Sequence, residues 1–112
     1  MKIAIPLTGG KLSAHFGHCQ EFAFVDVDSE AGKILETSTL TPPPHEPGSF
    51  PAWVADQGAK LVIAGGMGQR AISLFQSQGL EVVVGSAGGS PEELATAWLK
   101  GDLSSGANLC DH

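Results

Sequence analysis

The chain has 112 residues, of which 42% are hydrophobic and 16% are charged, a composition typical of one globular domain. A formal net charge of -6 provides no basic surface, so nucleic acid and anionic membranes are not expected as partners. No apolar run approaches the roughly 20 residues that span a bilayer, and residues 1–6 lack the apolar stretch of a signal peptide. The sequence therefore predicts a cytoplasmic protein.

Three strands are predicted in the first part of the chain. Lys2 to Leu7 is a short apolar run that ends at Thr8-Gly9-Gly10, as a central strand would. Glu21 to Asp28 and Lys33 to Leu40 are rich in aromatic and β-branched residues. The turn residues Ser29 to Gly32 separate these two runs, so the pattern predicts a hairpin.

Helices and buried strands alternate in the rest of the chain. Thr41 to Gly48 contains four prolines and is predicted as a loop, and Ser49 is expected to cap the helix that follows it. Ser90-Pro91-Glu92-Glu93 has the cap, proline and acids of a helix start. The predicted elements are helices at about 49–57, 69–78 and 91–100 and strands at 60–64 and 80–84. Within the second helix, Ala71, Ile72, Leu74 and Phe75 make the buried stripe.

The order of these elements predicts an α/β fold with a mixed five-stranded sheet and three helices, in the topology β-β-β-α-β-α-β. Right-handed crossovers would place the strand at 60–64 beside the first strand and the strand at 80–84 outside it. The hairpin then lies on the other side, which gives the order 3-2-1-4-5 with strand 2 antiparallel. One domain over 1–112 is expected, with residues 101–112 as a flexible tail. A ligand site is expected at the carboxyl ends of the first strand and the strand at 60–64, where the strand order reverses.

The soft metal ligands are confined to segments predicted as loops or tail. The chain has two cysteines and four histidines. They are His15, His18, Cys19, His45, Cys110 and His112. Thiolate and imidazole together suit zinc, copper and iron–sulfur chemistry. In a cytoplasmic chain, two cysteines are more often ligands or free thiols than a structural disulfide.

The residues alone leave alternatives open for each of these ligands. His15 and Cys19 are four residues apart, so they would share one face of a helical turn and could hold one metal. His18 could instead tune the thiolate of Cys19. His45 could simply pack on its neighbouring prolines. Cys110 lies in the last few residues with His112, where a plain terminus is the alternative.

A glycine-rich connection, Gly65-Gly66-Met67-Gly68, is predicted between a strand and a helix. No Lys-Ser/Thr pair follows, so it is not a Walker loop. It is either a tight turn or a helix N-terminus that approaches an anion, helped by Arg70, with Met67 as a soft apolar contact. The first strand has no carboxylate, which excludes a two-metal nuclease because that chemistry needs clustered acids in the sheet.

Four short motifs follow one another along nearly the whole chain. They are His15-Phe16-Gly17 with Cys19 and Phe22; Pro43-Pro44-His45 with Pro47-Gly48; Gly65-Gly66-Met67-Gly68 with Arg70-Ala71; and Gly101, Leu103, Asn108, Cys110 and His112. In this order they resemble the dinitrogenase iron–molybdenum cofactor biosynthesis family. The resemblance implies a ribonuclease-H-like fold and binding of a metal–sulfur cluster or cofactor precursor. The family includes nitrogenase cofactor carriers, the orange protein with its molybdenum–copper sulfide cluster, and small stand-alone proteins, which this chain is most like.

The expected function is therefore carriage, and not catalysis, of an iron–sulfur or molybdenum-containing cluster or precursor, with a partner protein in assembly or delivery. The expected metal ligands are His15, His18, Cys19, His45, Cys110 and His112. The expected contacts to the cofactor are His15, Gly65, Gly66, Met67, Gly68 and Arg70. Two alternatives remain: a mononuclear zinc or copper protein, and a small enzyme that acts on a phosphorylated metabolite through its glycine loops.

Overall fold

The computed structural model describes residues 1–12, 21–42, 49–84 and 89–101. Its elements are β1 (Lys2–Thr8), β2 (Lys11–Leu12), β3 (Glu21–Asp28), β4 (Lys33–Leu40), α1 (Ser49–Asp56), β5 (Ala59–Ile63), α2 (Gln69–Ser77), β6 (Glu81–Val83) and α3 (Pro91–Leu99). The predicted α/β class, with one mixed sheet and three helices, is confirmed. The predicted tail lies outside the described residues from residue 102 onward.

The sheet is built around β1. Its strands lie in the order β4-β3-β1-β5-β6, and β2 pairs with β1 off this path. β3 is antiparallel to both β1 and β4, whereas β5 is parallel to β1 and to β6. The predicted count of five strands is wrong, because β2 makes the sheet six-stranded. The ribonuclease-H-like assignment stays a prediction.

The additional strand, β2, is the return arm of a tight hairpin. Gly9 and Gly10 have φ angles of 63° and 82°, as the two-residue turns that match the twist of a hairpin require. Leu7 pairs with Glu21 of β3 and also with Leu12 of β2, so β2 uses the edge of β1 that faces β5. Lower on that edge, β1 pairs with β5 from Lys2 to Ala4. β2 therefore continues the sheet beyond the carboxyl end of β5.

Two apolar layers cover the sheet, because alternate residues of each strand point to opposite faces. On one face α1 and α2 pack over Ala4, Phe22, Phe24 and Val62, and we call this the α2 face. On the other, α3 packs over Ile3, Ile5, Val25, Leu61 and Ile63, and we call this the α3 face. Full burial of such aliphatic and aromatic side chains contributes about 1.5–3 kcal/mol each. The two layers thereby fix the positions of the helices relative to the strand ends.

The helix starts differ in how their backbone N–H groups are satisfied. At α3 the Ser90 side chain accepts from the N–H of Glu93, and the Glu93 carboxylate accepts from the N–H of Ser90, which is a capping box. Pro91 at the start and the two acids in the first turn complete the predicted helix signal. α1 spans Ser49–Asp56, so Ser49, predicted as the cap, is the first residue of the helix. Over the described ranges, no helix is both long and apolar enough to cross a membrane.

Gly10→Ala should destabilise the protein by about 1–2 kcal/mol, because an L-residue disfavours the left-handed conformation that the β1–β2 turn needs. A methyl group at Gly10 would meet no atom within 4 Å, so the cost would come from the backbone alone. Urea unfolding followed by circular dichroism measures the change. The neighbouring exposed Lys11→Ala is the matched control and should change stability by no more than about 0.5 kcal/mol. Equal effects of the two substitutions would contradict the turn assignment.

Candidate functional site

Strand ends and strand starts converge at one end of the sheet, the carboxyl end of β1, which we call the site end. β3 begins there, since Glu21 lies opposite Leu7 of β1. β4 ends there, since Leu40 lies opposite Phe22. β5 and β6 run parallel to β1, so their carboxyl ends lie there as well. The strands that lead into and out of segment 13–20, and the strand that leads into segment 43–48, therefore all meet these segments at the site end.

The glycine-rich connection between β5 and α2 also lies at the site end. Ala64 continues from β5, and its N–H donates to the carbonyl of Val83 at 2.8 Å. Gly65 and Gly66 are buried, whereas Gly68 is exposed. The chain thus leaves the sheet through buried backbone and reaches the surface where α2 begins.

The N-terminus of α2 has no side-chain cap. Gly68 is the N-cap residue, with φ -64° and ψ 151°, and among the described residues this helix start has no side-chain cap hydrogen bond. Ser90, at the start of α3, has nearly the same backbone, φ -78° and ψ 158°, and does cap its helix. The first turn of α2 also contains no acidic residue. Its N–H groups and the positive end of the helix dipole are thus available to an anion.

The predicted site residues divide into two groups. Gly65, Gly66, Met67, Gly68 and Arg70 are brought together in the β5–α2 connection and the first turn of α2. The Arg70 side chain is exposed. The predicted metal ligands His15, His18, Cys19, His45, Cys110 and His112 lie outside the described residues. Within residues 1–12, 21–42, 49–84 and 89–101, no three His, Cys, Asp or Glu side chains form a group that could hold a metal ion.

Met67 is placed in the core. Its side chain is 0% exposed and belongs to the apolar layer of the α2 face, with Phe22, Phe50 and Phe75. The predicted soft contact through the thioether therefore has no solvent-accessible surface in this conformation.

An aromatic cluster joins β3 to α1 near the site end. The Phe22 ring lies 5.8 Å from the ring of Phe50 and 5.6 Å from that of Trp53, and Phe24 lies 5.6 Å from Trp53. Such tilted and edge-to-face pairs contribute about 0.5–1.5 kcal/mol each beyond their burial. Phe22 and Phe24 are buried, and Phe16 lies outside the described residues.

A shallow surface groove along α3 is a separate feature. It is lined by Glu92, Glu93, Thr96, Ala97 and Lys100. One of its two carboxylates, that of Glu93, accepts the hydrogen bond of the capping box. Carboxylates repel anions, so the start of α2 and not this groove is the candidate anion site.

The β1–β2 hairpin is the part of the site end that the sequence analysis did not predict. The N–H of Leu12 donates to the carbonyl of Gly89 at 3.0 Å, which joins β2 to the segment before α3. The sequence does contain a signal for this hairpin, since two glycines between apolar runs, here Gly9-Gly10, are typical of a two-residue hairpin turn. A strand of two residues is too short for periodicity to reveal it.

Comparison with known proteins identifies the family. The family model described as dinitrogenase iron–molybdenum cofactor matches residues 1–101. The chain belongs to this family. Because the match ends at Gly101, Cys110 and His112 lie beyond the matched part. All five site residues of the glycine connection and α2 lie within it.

Relatives and solved structures agree with this membership of the dinitrogenase iron–molybdenum cofactor family. An uncharacterized protein of Methanocaldococcus jannaschii, MJ0580, is 31% identical over 106 residues, which cover 92% of this chain and 89% of the relative. The crystal structure of PH0822 has a TM-score of 0.84 and 33% identity, with 94% of each chain covered. The apo form of the orange protein from Desulfovibrio gigas has a TM-score of 0.76 at 21% identity, covering 96% of this chain and 93% of the other. The last similarity shows a shared fold.

Met67→Ala should lower the free energy of unfolding by about 2–5 kcal/mol, because it leaves a cavity in the α2-face layer. Met67→Leu keeps the volume and should cost less than about 1.5 kcal/mol. Urea titration of both variants measures the difference. A Met67→Ala protein as stable as the wild type would show that the side chain is not a core residue.

Proposed function

We propose that this protein binds and carries a metal–sulfur cluster or a metallocofactor precursor, iron–sulfur or molybdenum-containing, for cofactor assembly or delivery to a partner protein. Family membership over residues 1–101 supports a role connected with a metallocofactor. The observation that carries the proposal is the start of α2, where an uncapped helix N-terminus follows buried glycine backbone. Sulfide-bridged clusters and thiometalates are anionic, and this is the backbone arrangement that favours an anion.

The metal would be held by thiolate and imidazole groups from the segments that join the sheet at the site end. Cys19 is two residues before Glu21, so its Cα can be no farther than about 7 Å from the start of β3. His45 is three residues after Pro42 and can reach no farther than about 11 Å from it. His15 and His18 belong to the same connection as Cys19. Soft thiolate with imidazole suits the iron, copper and molybdenum–sulfur chemistry of the proposed cargo.

The sulfide charge of the cargo would meet protein groups of a different kind. The N–H groups at Gly65, Gly66 and Gly68 and in the first turn of α2 are dipoles fixed by the fold. Arg70 adds a full positive charge and a planar fork of donors. Met67 would take part through its backbone, since its side chain is buried. Metal coordination and anion recognition are therefore separate contributions to binding and can be removed one at a time.

The tail would add affinity without creating the site. Cys110 follows Gly101 by nine residues and can reach about 30 Å from the end of α3. Ordering those residues around a metal costs conformational entropy, which offsets part of the gain from the Cys110 and His112 ligands. In this proposal the cargo binds first to the segment that contains Cys19.

Cys19→Ser should lower cluster occupancy without lowering the thermal midpoint of the metal-free protein. Anaerobic reconstitution with ferrous iron and sulfide, or with tetrathiomolybdate and copper(I), should give the wild type a visible absorption band and bound metal and sulfide. The matched control is Cys110→Ser, which should retain most of the occupancy. Metal and sulfide analysis with absorbance measures both variants.

Two results would contradict the carrier function, and a third would contradict the ligand role of Cys19. One tightly bound zinc or copper ion, with no sulfide, would favour a mononuclear metal protein. Turnover of a phosphorylated compound, with inorganic phosphate as competitor, would favour the enzyme alternative. Equal loss of occupancy and of metal-free stability in Cys19→Ser would show that Cys19 is a packing residue.

Gly68→Ser should stabilise the metal-free protein and weaken its affinity for tetrathiomolybdate. A serine in this backbone conformation can cap α2 as Ser90 caps α3, which is worth a few tenths of a kcal/mol over glycine. The new hydroxyl would accept from the N–H groups that an anion needs. Urea unfolding and an anaerobic absorbance titration measure the two effects. Unchanged or tighter binding in this variant would argue against the start of α2 as the anion site.

A further inference from the structure

The β1–β2 hairpin brings a lysine to the site end. Lys11 is an exposed residue of β2 and pairs with Thr8. β2 lies on the edge of β1 that faces β5, beyond the point where the β1–β5 pairing ends at Ala4. Lys11 therefore lies beyond the carboxyl end of β5, on the line of that strand. The glycine-rich connection at 65–68 begins at the same end of β5.

The alternation of side chains places Lys11 on the α2 face. Residues paired across antiparallel strands point to the same face, and neighbours along a strand point to opposite faces. Leu7 and its partner Leu12 both belong to the apolar layer of the α3 face. Thr8 and its partner Lys11 must then point to the other face, where α2 packs. Lys11 and Arg70 are thus on the same side of the sheet and at the same end.

Three of the other lysines are at the opposite end of the sheet. Lys2 and Lys33 begin β1 and β4, which are parallel to each other, and Lys60 lies near the start of β5. Lys2 is already engaged, because its Nζ donates to the carbonyl of Gln57 at 2.9 Å. Within the described ranges, neither Lys11 nor Arg70 forms an ion pair. Among the described residues, the site end therefore holds two cations that form no ion pair, in a chain whose net charge is -6.

We propose that Lys11 is a second cationic contact for the cargo, across from Arg70, and that the pair selects anions with a charge of -2 or more. This inference rests on the proposed function and specifies the charge of the cargo. The first turn of α2 alone can balance the charge of a monoanion. A dianion carries twice that charge, which the two side-chain cations Lys11 and Arg70 would balance together with the helix start. The hairpin positions Lys11 because the two glycines of its turn return β2 along β1.

The test compares three charge variants by anaerobic titration with tetrathiomolybdate, a dianion whose absorbance reports binding. Lys11→Gln should weaken binding about fivefold at low ionic strength, the size expected for one surface ion pair, and the difference should shrink with added salt. Lys11→Arg should bind within about twofold of the wild type, since the charge is kept. The matched control is Lys60→Gln, with the same change in net charge at the opposite end, and it should change affinity by less than about twofold.

The outcomes separate this inference from the proposed function. Tetrathiomolybdate binding that is unchanged in Lys11→Gln, or weakened as much in Lys60→Gln, would overturn the role of Lys11 and leave the carrier function standing. A wild type that takes up no cluster and no tetrathiomolybdate would remove the carrier function. An NMR titration with molybdate would then test whether Lys11 contacts a dianion. Shifts of the Lys11, Gly68 and Arg70 amides that Lys11→Gln abolishes would support the inference, and their absence in the wild type would overturn it.

Discussion

Both edges of β1 are used along its length, and the arrangement of the site end depends on this constraint. One edge pairs with β3 from Lys2 to Leu7. The other edge is shared, since it pairs with β5 from Lys2 to Ala4 and with β2 at Leu7 and Thr8. An unpaired backbone group buried in a central strand costs about as much as a lost hydrogen bond, so some segment must take the place that β5 leaves. β2 takes it, and this frees the chain after β5 to turn out of the sheet through Gly65 and Gly66.

Strong local signals were sufficient for much of the fold. The bounds of the β3–β4 hairpin, 21–28 and 33–40, follow from runs of aromatic and β-branched residues on either side of a polar turn. Asp28 closes that turn by accepting from the N–H groups of Glu30 and Ala31. The start of α3 follows from the capping signal at Ser90. β2 could not be predicted in this way, because two residues have no period and their pairing is decided by the edge of β1 that β5 leaves open.

The candidate site was predictable as a set of backbone positions and less so as a set of side chains. Glycines between an apolar run and an amphipathic run indicate a strand-to-helix turn, and Gly65 to Gly68 form one. The burial of Met67 depends on distant residues, since Phe22, Phe50 and Phe75 of the same apolar cluster come from β3, α1 and α2 and meet only after folding. A residue between two glycines looks exposed in a sequence, yet here the turn directs its side chain into the apolar layer of the α2 face.

Anion binding by an acidic protein depends on local geometry more than on net charge. At physiological ionic strength the field of a surface charge is screened over about 8 Å. Carboxylates at the far end of the sheet therefore contribute little to the electrostatic potential at the start of α2. The positive charge that a bound anion meets is then that of the first turn of α2 and the nearest cations. A glycine at the N-cap gives up the stability that serine gives α3 at Ser90. Glycine at this position also leaves the N–H groups of the first turn of α2 without a side-chain acceptor. The starts of α2 and α3 thus have nearly the same backbone but differ in whether a side chain occupies the N–H groups that an anion would bind.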